Sequence, residues 1–151
     1  MIKALIVYTT LTGKTKTAAE IIKETLLELS VSVEMIESVH VGPEAYLDVD
    51  LCLLGTYTYG IDGQLPEELI DFYEELLEVD LSGKIFGTFG SGDTFYEHFC
   101  QSVIDFNEQF KLAGAIEGSK SVLIDLDPDT EEDIQHLKDF AGNLVGTLSE
   151  K

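Results

Sequence analysis

Short apolar runs alternate with longer segments of helical period along this chain. Five runs have the continuous or every-second-residue apolar pattern of β-strands, at residues 2–8, 31–36, 50–56, 84–90 and 121–125. Strands that alternate with helices are typical of an α/β domain whose parallel sheet is covered on both faces. The pattern therefore predicts a single, three-layer, doubly wound domain over the whole chain, with a five-stranded parallel sheet.

Four other segments, three between strands and one after the last strand, repeat apolar residues at three- and four-residue spacing, so each of the four predicts a helix with one buried face. The first helix covers residues 15–29, and Pro66 suits the first position of the second helix. Asp129 and Glu132 have capping-box spacing at the start of the last helix. The predicted buried faces are Ala18, Ile22, Thr25, Leu26 and Leu29; then Leu69, Phe72, Tyr73 and Leu76; then Phe99, Val103, Phe106 and Phe110; and finally Ile134, Leu137, Ala141, Leu144 and Leu148.

The chain is strongly acidic. It has 29 Asp and Glu against nine basic residues, a formal net charge of −20, and every basic residue is Lys. Nucleic-acid binders need clustered cations, so the balance excludes nucleic acid as a partner. The lack of Arg also excludes phosphatases that clamp their substrate with a guanidinium. A partner protein with a basic face is favoured instead.

The apolar runs also bear on the expected location. None approaches the ~20 residues needed to cross a bilayer, and the first residues lack the layout of a signal peptide, so we expect a cytoplasmic protein without a membrane segment. Cys52 and Cys100 lie far apart in apolar segments, which predicts two reduced, buried thiols. The three histidines have no metal-ligand spacing, and we expect no metal site.

The loop after the first strand, residues 9–15, contains four threonines and a glycine and leads into the first helix. The hydroxyls of Thr10, Thr12 and Thr15 and the free N–H groups at a helix start are donors suited to a phosphate dianion. Gly13 permits the close approach of backbone to such a ligand. A threonine-rich helix cap is the alternative, although a cap needs only one hydroxyl.

Two other phosphate chemistries are excluded by the same loop. A nucleoside triphosphate P-loop needs a glycine five positions before Gly13, where Tyr8 stands. A phospho-accepting receiver domain needs acids at the end of the first strand and an Asp at the end of the third. The chain has Thr10 and Thr56 at those places.

The loops after the third and fourth strands, residues 55–63 and 90–96, carry tyrosines among glycines. At this edge of a sheet such rings can stack on a flat heterocycle, although they can also fill the core or rest on the surface. Gly60 tolerates the backbone change that a carbonyl makes when it turns towards a ligand. Together with the phosphate loop, these loops predict a flat, phosphorylated ligand.

These three loops resemble those of the short-chain flavodoxins, small electron carriers that bind FMN. Residues 10–15 are similar to the family's phosphate loop, residues 58–60 to its first isoalloxazine loop, and residues 90–93 with Tyr96 to its second. The resemblance covers nearly the whole chain, and the order and spacing of the loops are specific. It implies a flavodoxin-like sheet with strand order 2-1-3-4-5.

The resemblance implies FMN as the cofactor, with no catalytic residue, and it assigns the binding residues to three groups. The phosphate group is Thr10, Thr12 and Thr15 with the backbone of Leu11, Gly13 and Lys14. The first ring group contains Tyr57, Thr58, Tyr59 and Gly60. Tyr59 stacks on the flavin, with Tyr57 as the alternative residue for this role. The carbonyl of Gly60 meets the protonated N5 of the one-electron-reduced ring. The second ring group is Tyr96 on the other face, with Ser91, Gly92 and the backbone around Asp93, His98 and Cys100 at the pyrimidine edge.

The implied function is a low-potential, one-electron carrier, expected as a monomer, that shuttles electrons between a reductase and acceptor proteins. Eight acids and no Lys lie between residues 62 and 80, directly after the first ring loop. Acids near an anionic reduced flavin lower its potential, and basic faces of redox proteins are expected to dock there. Simple solubility is the alternative explanation for these charges.

Two other functions stay open at this point. A flavin-dependent activator or reductase of one dedicated partner would need a titratable group beside the flavin, and only His98 is a candidate. A non-redox binding module would keep the fold and lose the ligand. The colour of the purified protein distinguishes the binding module from the other two.

Overall fold

The computed structural model describes residues 1–10, 13–58, 65–92, 100–125 and 130–150, which include a parallel sheet. Its strands are β1 (Lys3–Tyr8), β2 (Ser32–Glu37), β3 (Leu51–Tyr57), β4 (Ile85–Gly92), β5 (Ile116–Glu117) and β6 (Val122–Asp125). β1 pairs with β2 on one side and with β3 on the other, and β4 lies beside β3. The carboxyl ends of β1, β3 and β4 therefore meet at one edge of the sheet, the edge at which such folds bind ligands.

Two short strands share the fifth position of the sheet, where the sequence predicts one strand over residues 121–125. β5 pairs with the start of β4, with Ile116 opposite Ile85, and β6 pairs with its end, with Val122 opposite Phe89. The pattern missed β5 because two residues are too few to show a period. The predicted order 2-1-3-4-5 is confirmed, since both strands lie beside β4.

A polar cluster occupies the gap between β5 and β6. The hydroxyl of Thr88, in the middle of β4, lies 2.7 Å from the Ser121 hydroxyl and donates to Asn107 Oδ1 at 3.2 Å. Ser121 also donates to Asn107 Oδ1 at 3.1 Å, and Asn107 Nδ2 donates to Glu117 at 2.9 Å. These side chains satisfy one another's hydrogen-bonding groups, because buried polar groups must find partners.

Helices lie on both faces of the sheet. They are α1 (Lys14–Glu28), α2 (Ile70–Leu76), α3 (Gln101–Leu112) and α4 (Glu131–Glu150), with 3₁₀ segments at Ser38–His40, Pro43–Asp48 and Glu67–Leu69. α1 begins and ends one residue earlier than predicted. None of the helices in the described part of the chain combines the length and the apolarity that a membrane crossing requires.

The predicted starts of the second and last helices are wrong in detail. Pro66 precedes the 3₁₀ segment Glu67–Leu69 with an extended ψ of 138°, so it lies one residue before the first helical position. At the start of α4, Thr130 is the capping residue, because its hydroxyl accepts the N–H of Asp133 at 3.0 Å. Asp129, the predicted cap, lies outside the described residues.

Two apolar layers hold the helices to the sheet. α1 and α4 pack on the face that contains Ile6 and Leu53, and α2 and α3 pack on the face that contains Val7 and Leu54. Most of the predicted helical faces are buried there. The exceptions are Leu29, which follows the end of α1 and is exposed, Thr25, Tyr73, Ile134 and Leu148, which are half-buried, and Phe99, which lies outside the described residues.

Both cysteines are buried thiols outside any disulfide, as the sequence predicts. Burial in the second apolar layer raises the pKa of the Cys52 thiol to about 12, and its Sγ lies 3.9 Å from the carbonyl oxygen of Tyr46. Cys52 is therefore an inert core residue at neutral pH.

Candidate functional site

Backbone hydrogen bonds join the three strand ends from which the predicted ligand loops begin. The N–H of Thr9, just after β1, donates to Gly55 O at 3.0 Å. Tyr57 and Ser91 are opposite each other at the ends of β3 and β4, and the N–H of Thr58 donates to Ser91 O at 3.1 Å. The fold thus brings the starting points of all three loops of the predicted site to one edge.

The start of α1 has the geometry of an anion site. Gly13 has a φ of +89° and precedes the helix, and apart from its chain neighbours no described residue lies within 4 Å of the position that a Cβ would take. Its N–H donates to the Thr10 hydroxyl at 2.9 Å, and its carbonyl accepts the first helical hydrogen bond, from the N–H of Thr17. The N–H groups of residues 14–16 precede that bond and have no acceptor among the described residues, so they are available to a ligand.

Thr15 links the predicted phosphate loop to the fourth strand. Its side chain is buried, and its hydroxyl lies 3.2 Å from that of Ser91, 76 residues further along the chain. The two predicted site residues are therefore neighbours in space. Lys14, the first residue of α1, is half-buried, and Gly92 ends β4.

Ser102, in the first turn of α3, fixes the backbone at the end of β3. Its hydroxyl donates to Tyr57 O at 2.7 Å and lies 3.1 Å from the Thr58 hydroxyl. The N–H of Ser102 also donates to that hydroxyl, at 3.1 Å. Sequence reasoning missed Ser102, because a serine near the start of a helix signals a cap and not a contact 44 residues away.

Glu68 joins two of the strand ends through one carboxylate oxygen. The buried Thr9 hydroxyl donates to its Oε1 at 2.7 Å, and the Tyr57 hydroxyl donates to the same atom at 3.1 Å. Burial raises the pKa of Glu68, but these hydrogen bonds, with one from its own backbone, outweigh burial and hold the pKa below the ordinary 4.5. Sequence analysis did not distinguish Glu68 from the other acids between residues 62 and 80.

Glycine is required at Gly90, where β4 runs close to β3. A Cβ at Gly90 would lie 1.8 Å from the carbonyl oxygen of Thr56, closer than any real contact. Cys100 packs beside this point, with its Sγ 3.9 Å from Gly90 O and 3.8 Å from Ile124 O, and its backbone has a φ of +52°. Cys100 is buried directly before α3.

Several predicted ligand residues lie outside the described residues, and their roles stay predictions. They are Leu11 and Thr12 of the phosphate loop, Tyr59 and Gly60 of the first ring loop, and Asp93, Tyr96 and His98 of the second. Within the described part of the chain, no group of three His, Cys, Asp or Glu could hold a metal ion.

The described residues fit the phosphate end of FMN. They offer free N–H groups at the start of α1, a left-handed glycine with open space around it, and threonine hydroxyls on both sides of that glycine. A helix N-terminus with these donors suits a phosphate without any guanidinium. This agrees with a chain that has no Arg.

Comparison with known proteins agrees with the geometry. The Flavodoxin family profile matches residues 6–138. Probable flavodoxin 1 of Bacillus subtilis (strain 168) is 40% identical over 145 residues, which cover 96% of this chain and 91% of that protein. The structure of a short-chain flavodoxin associated with a non-canonical PDU bacterial microcompartment has a TM-score of 0.94 at 42% identity, covering 98% of this chain and 99% of that one.

Similar domains also occur within larger redox enzymes. The sulfite reductase [NADPH] flavoprotein alpha-component of Cronobacter sakazakii (strain ATCC BAA-894) is 32% identical over 107 residues, which are 69% of this chain and 18% of that protein. Domains of this kind act together with redox partners. The chain itself belongs to the flavodoxin family, whose members bind FMN and transfer electrons without turning over a substrate of their own.

Proposed function

We propose that this protein is a low-potential, one-electron carrier that accepts electrons from a reductase and passes them to acceptor proteins. The observation that carries this proposal is the meeting of Thr15 with Ser91, and of Tyr57 with Ser91, at the carboxyl edge of the sheet. Bound FMN supplies the redox chemistry, and the protein binds, orients and shields it.

The phosphate of FMN binds at the start of α1 in this proposal. The N–H groups of residues 14–16 and the hydroxyls of Thr10 and Thr15 are the described donors, and Leu11 and Thr12 complete the loop. Because the Thr15 hydroxyl lies against the Ser91 hydroxyl, the start of α1 keeps a fixed position relative to the end of β4. A site arranged in advance loses little entropy when the ligand binds.

The flavin ring lies between Tyr59 and Tyr96 in the same proposal. The contacts of Tyr57 favour Tyr59, and not Tyr57, as the residue that stacks on the flavin. Its hydroxyl donates to Glu68 and its carbonyl accepts from Ser102, so Tyr57 serves as an anchor for the loop that follows. Gly60, Asp93, His98 and Cys100 contribute backbone groups around the ring, beside Thr58, Ser91 and Gly92.

The acids after the first ring loop lower the potential of the flavin and form the docking face. Those described are all exposed: Glu67, Glu68, Asp71, Glu74, Glu75, Glu78 and Asp80. Ile70 and Leu77 are also exposed among them, at 44% and 51%, and give a partner apolar contact inside the charged rim. Negative charge near the flavin disfavours an anionic reduced state.

Binding and reduction of FMN test the proposal directly. Apoprotein mixed with FMN at micromolar concentration should quench the flavin fluorescence with a stoichiometry of one. Reductive titration of the yellow protein should then proceed in two separate one-electron steps. Absence of FMN binding would leave the non-redox binding module, and turnover of one small molecule would favour the dedicated reductase.

Electron transfer to cytochrome c, a basic haem protein, tests the docking face. The second-order rate should fall as ionic strength rises, because long-range attraction is screened. Glu74→Lys with Glu75→Lys on α2 should slow the reaction more than Glu131→Lys with Glu132→Lys on α4, which makes the same change of net charge. Equal effects of the two pairs would show that total charge matters and that no docking face exists.

The cytoplasmic location and the monomeric state stay predictions from the sequence. Size-exclusion chromatography of the FMN-loaded protein checks the second.

A further inference from the structure

Among the described acids between residues 62 and 80, Glu68 is distinguished by hydrogen bonds to two other side chains. Its Oε1 accepts hydrogen bonds from Thr9 at 2.7 Å and from Tyr57 at 3.1 Å. Thr9 directly precedes the residues of the phosphate loop, and Tyr57 ends the strand that leads into the first ring loop. One carboxylate oxygen therefore joins the starting points of two loops that are far apart in sequence.

The position of Glu68 in the chain strengthens this connection. β3 ends at Tyr57, and Glu68 lies eleven residues further along the chain, in the segment Glu67–Leu69. Its hydrogen bond to Tyr57 closes the base of the first ring loop, and its hydrogen bond to Thr9 attaches that base to β1. Thr9 is itself held to β3, because its N–H donates to Gly55 O.

We propose that Glu68 is a positioning residue for FMN, whose carboxylate fixes the distance between the phosphate loop and the first ring loop. FMN must reach both loops at once, so an error in their separation costs affinity even when each loop is intact. This inference rests on the proposed FMN site and adds a named residue to it.

Charge alone predicts the opposite result, and this makes the proposal testable. Glu68 is an anion near a site for a phosphate dianion, so removal of its charge should tighten FMN binding if electrostatics decides. If positioning decides, removal of the side chain should weaken binding. Gln at this position separates the two effects, because its Oε1 can accept from Thr9 and Tyr57 without any charge.

The experiment measures the FMN dissociation constant of five apoproteins, the unmodified protein and four variants, by fluorescence quenching. Glu68→Ala should raise the Kd roughly tenfold, as loss of hydrogen bonds to a charged group does, while Glu68→Gln stays within about twofold of the unmodified protein. Glu67→Ala is the matched control, since it removes the same charge one residue away, and should not weaken binding. Thr9→Val removes one donor and should raise the Kd by less than Glu68→Ala.

A measurement without FMN keeps the proposal testable if Glu68→Ala folds poorly. Carboxyl NMR of the apoprotein should show the Glu68 pKa below 4.5, and Thr9→Val should move it back towards that value. If the Glu68 pKa were the same in Thr9→Val as in the unmodified protein, the contact with Thr9 would not be formed in solution, and the proposal would be overturned.

The outcomes separate the two proposals. If the unmodified protein binds no FMN, the proposed function fails and the role of Glu68 fails with it. If it binds FMN but Glu68→Ala and Glu67→Ala behave alike, only the role of Glu68 is refuted. Tighter binding by both Glu68 variants would likewise refute positioning, because it is the result expected from charge.

Discussion

Gly90→Ala places a single methyl group where two strands of the site run closest. Gly90 lies opposite Thr56 in the β3–β4 ladder, and its Cβ would be 1.8 Å from the Thr56 carbonyl oxygen and 2.7 Å from Val103 Cγ2. The valine side chain can rotate away. The carbonyl is backbone, so relief requires the two strands to separate just before Tyr57 and Ser91.

The size of the effect follows from that geometry. A methyl group forced into a packed interior costs about 1–3 kcal/mol, and a clash with backbone belongs at the upper end because no rotamer relieves it. A loss of about 3 kcal/mol corresponds to a fall in Tm of roughly 9 °C for a domain of this size. FMN affinity should fall as well, because the strand ends that carry both ring loops move apart.

Gly142→Ala is the matched control for this change. Gly142 is exposed within α4, and no described residue outside its own helical backbone lies within 4 Å of the Cβ that it would gain. The same methyl group should therefore stabilise the protein there, by about 0.5–1 kcal/mol, because Ala is the better helix former. Urea unfolding of the FMN-free variants separates these effects from ligand linkage. Equal unfolding midpoints for Gly90→Ala and the unmodified protein would refute the close approach of β3 and β4.

Three further predictions concern stability and reactivity. Tyr46→Phe removes the buried hydroxyl that donates to Leu53 O at 2.6 Å, and should lower the unfolding free energy in urea by about 1–3 kcal/mol because a buried carbonyl loses its donor. Thr130→Ala removes the cap of α4 and should cost about 1 kcal/mol in the same assay. Cys52, with a pKa of about 12, is almost wholly protonated at pH 8, so a maleimide should label it in urea and leave it unlabelled in the native protein.

The fold could be predicted from sequence because its signals are periodic. The central strands β1 and β3 are continuous apolar runs, and α1 repeats its buried residues at helical spacing, so their existence and type follow from patterning alone. The two-residue β5 and the 3₁₀ segment Pro43–Asp48 are too short to have a period, and they were missed for that reason.

The site could be predicted only as a set of loops. Residue types at the start of α1 indicate a phosphate site, because donors at a helix start are a local property. Contacts such as Thr15 with Ser91, or Glu68 with Thr9, join residues that are 76 and 59 positions apart. No periodicity or local composition encodes such a pair, so the arrangement that holds the loops together required the structure.

The chemistry of the site predicts opposite salt effects on its two kinds of binding. The described donors to phosphate are neutral N–H and hydroxyl groups, with Lys14 as the single cation of the loop, in a chain of net charge −20. Phosphate and protein therefore repel each other at long range, and salt screens that repulsion. FMN binding should tighten as NaCl rises from about 20 to about 200 mM, over which the Debye length shortens about threefold. The reaction with cytochrome c should slow over the same range, because attraction is what is screened there. FMN binding that weakens with salt would mean that a cation holds the phosphate, and Lys14→Gln would then abolish the dependence.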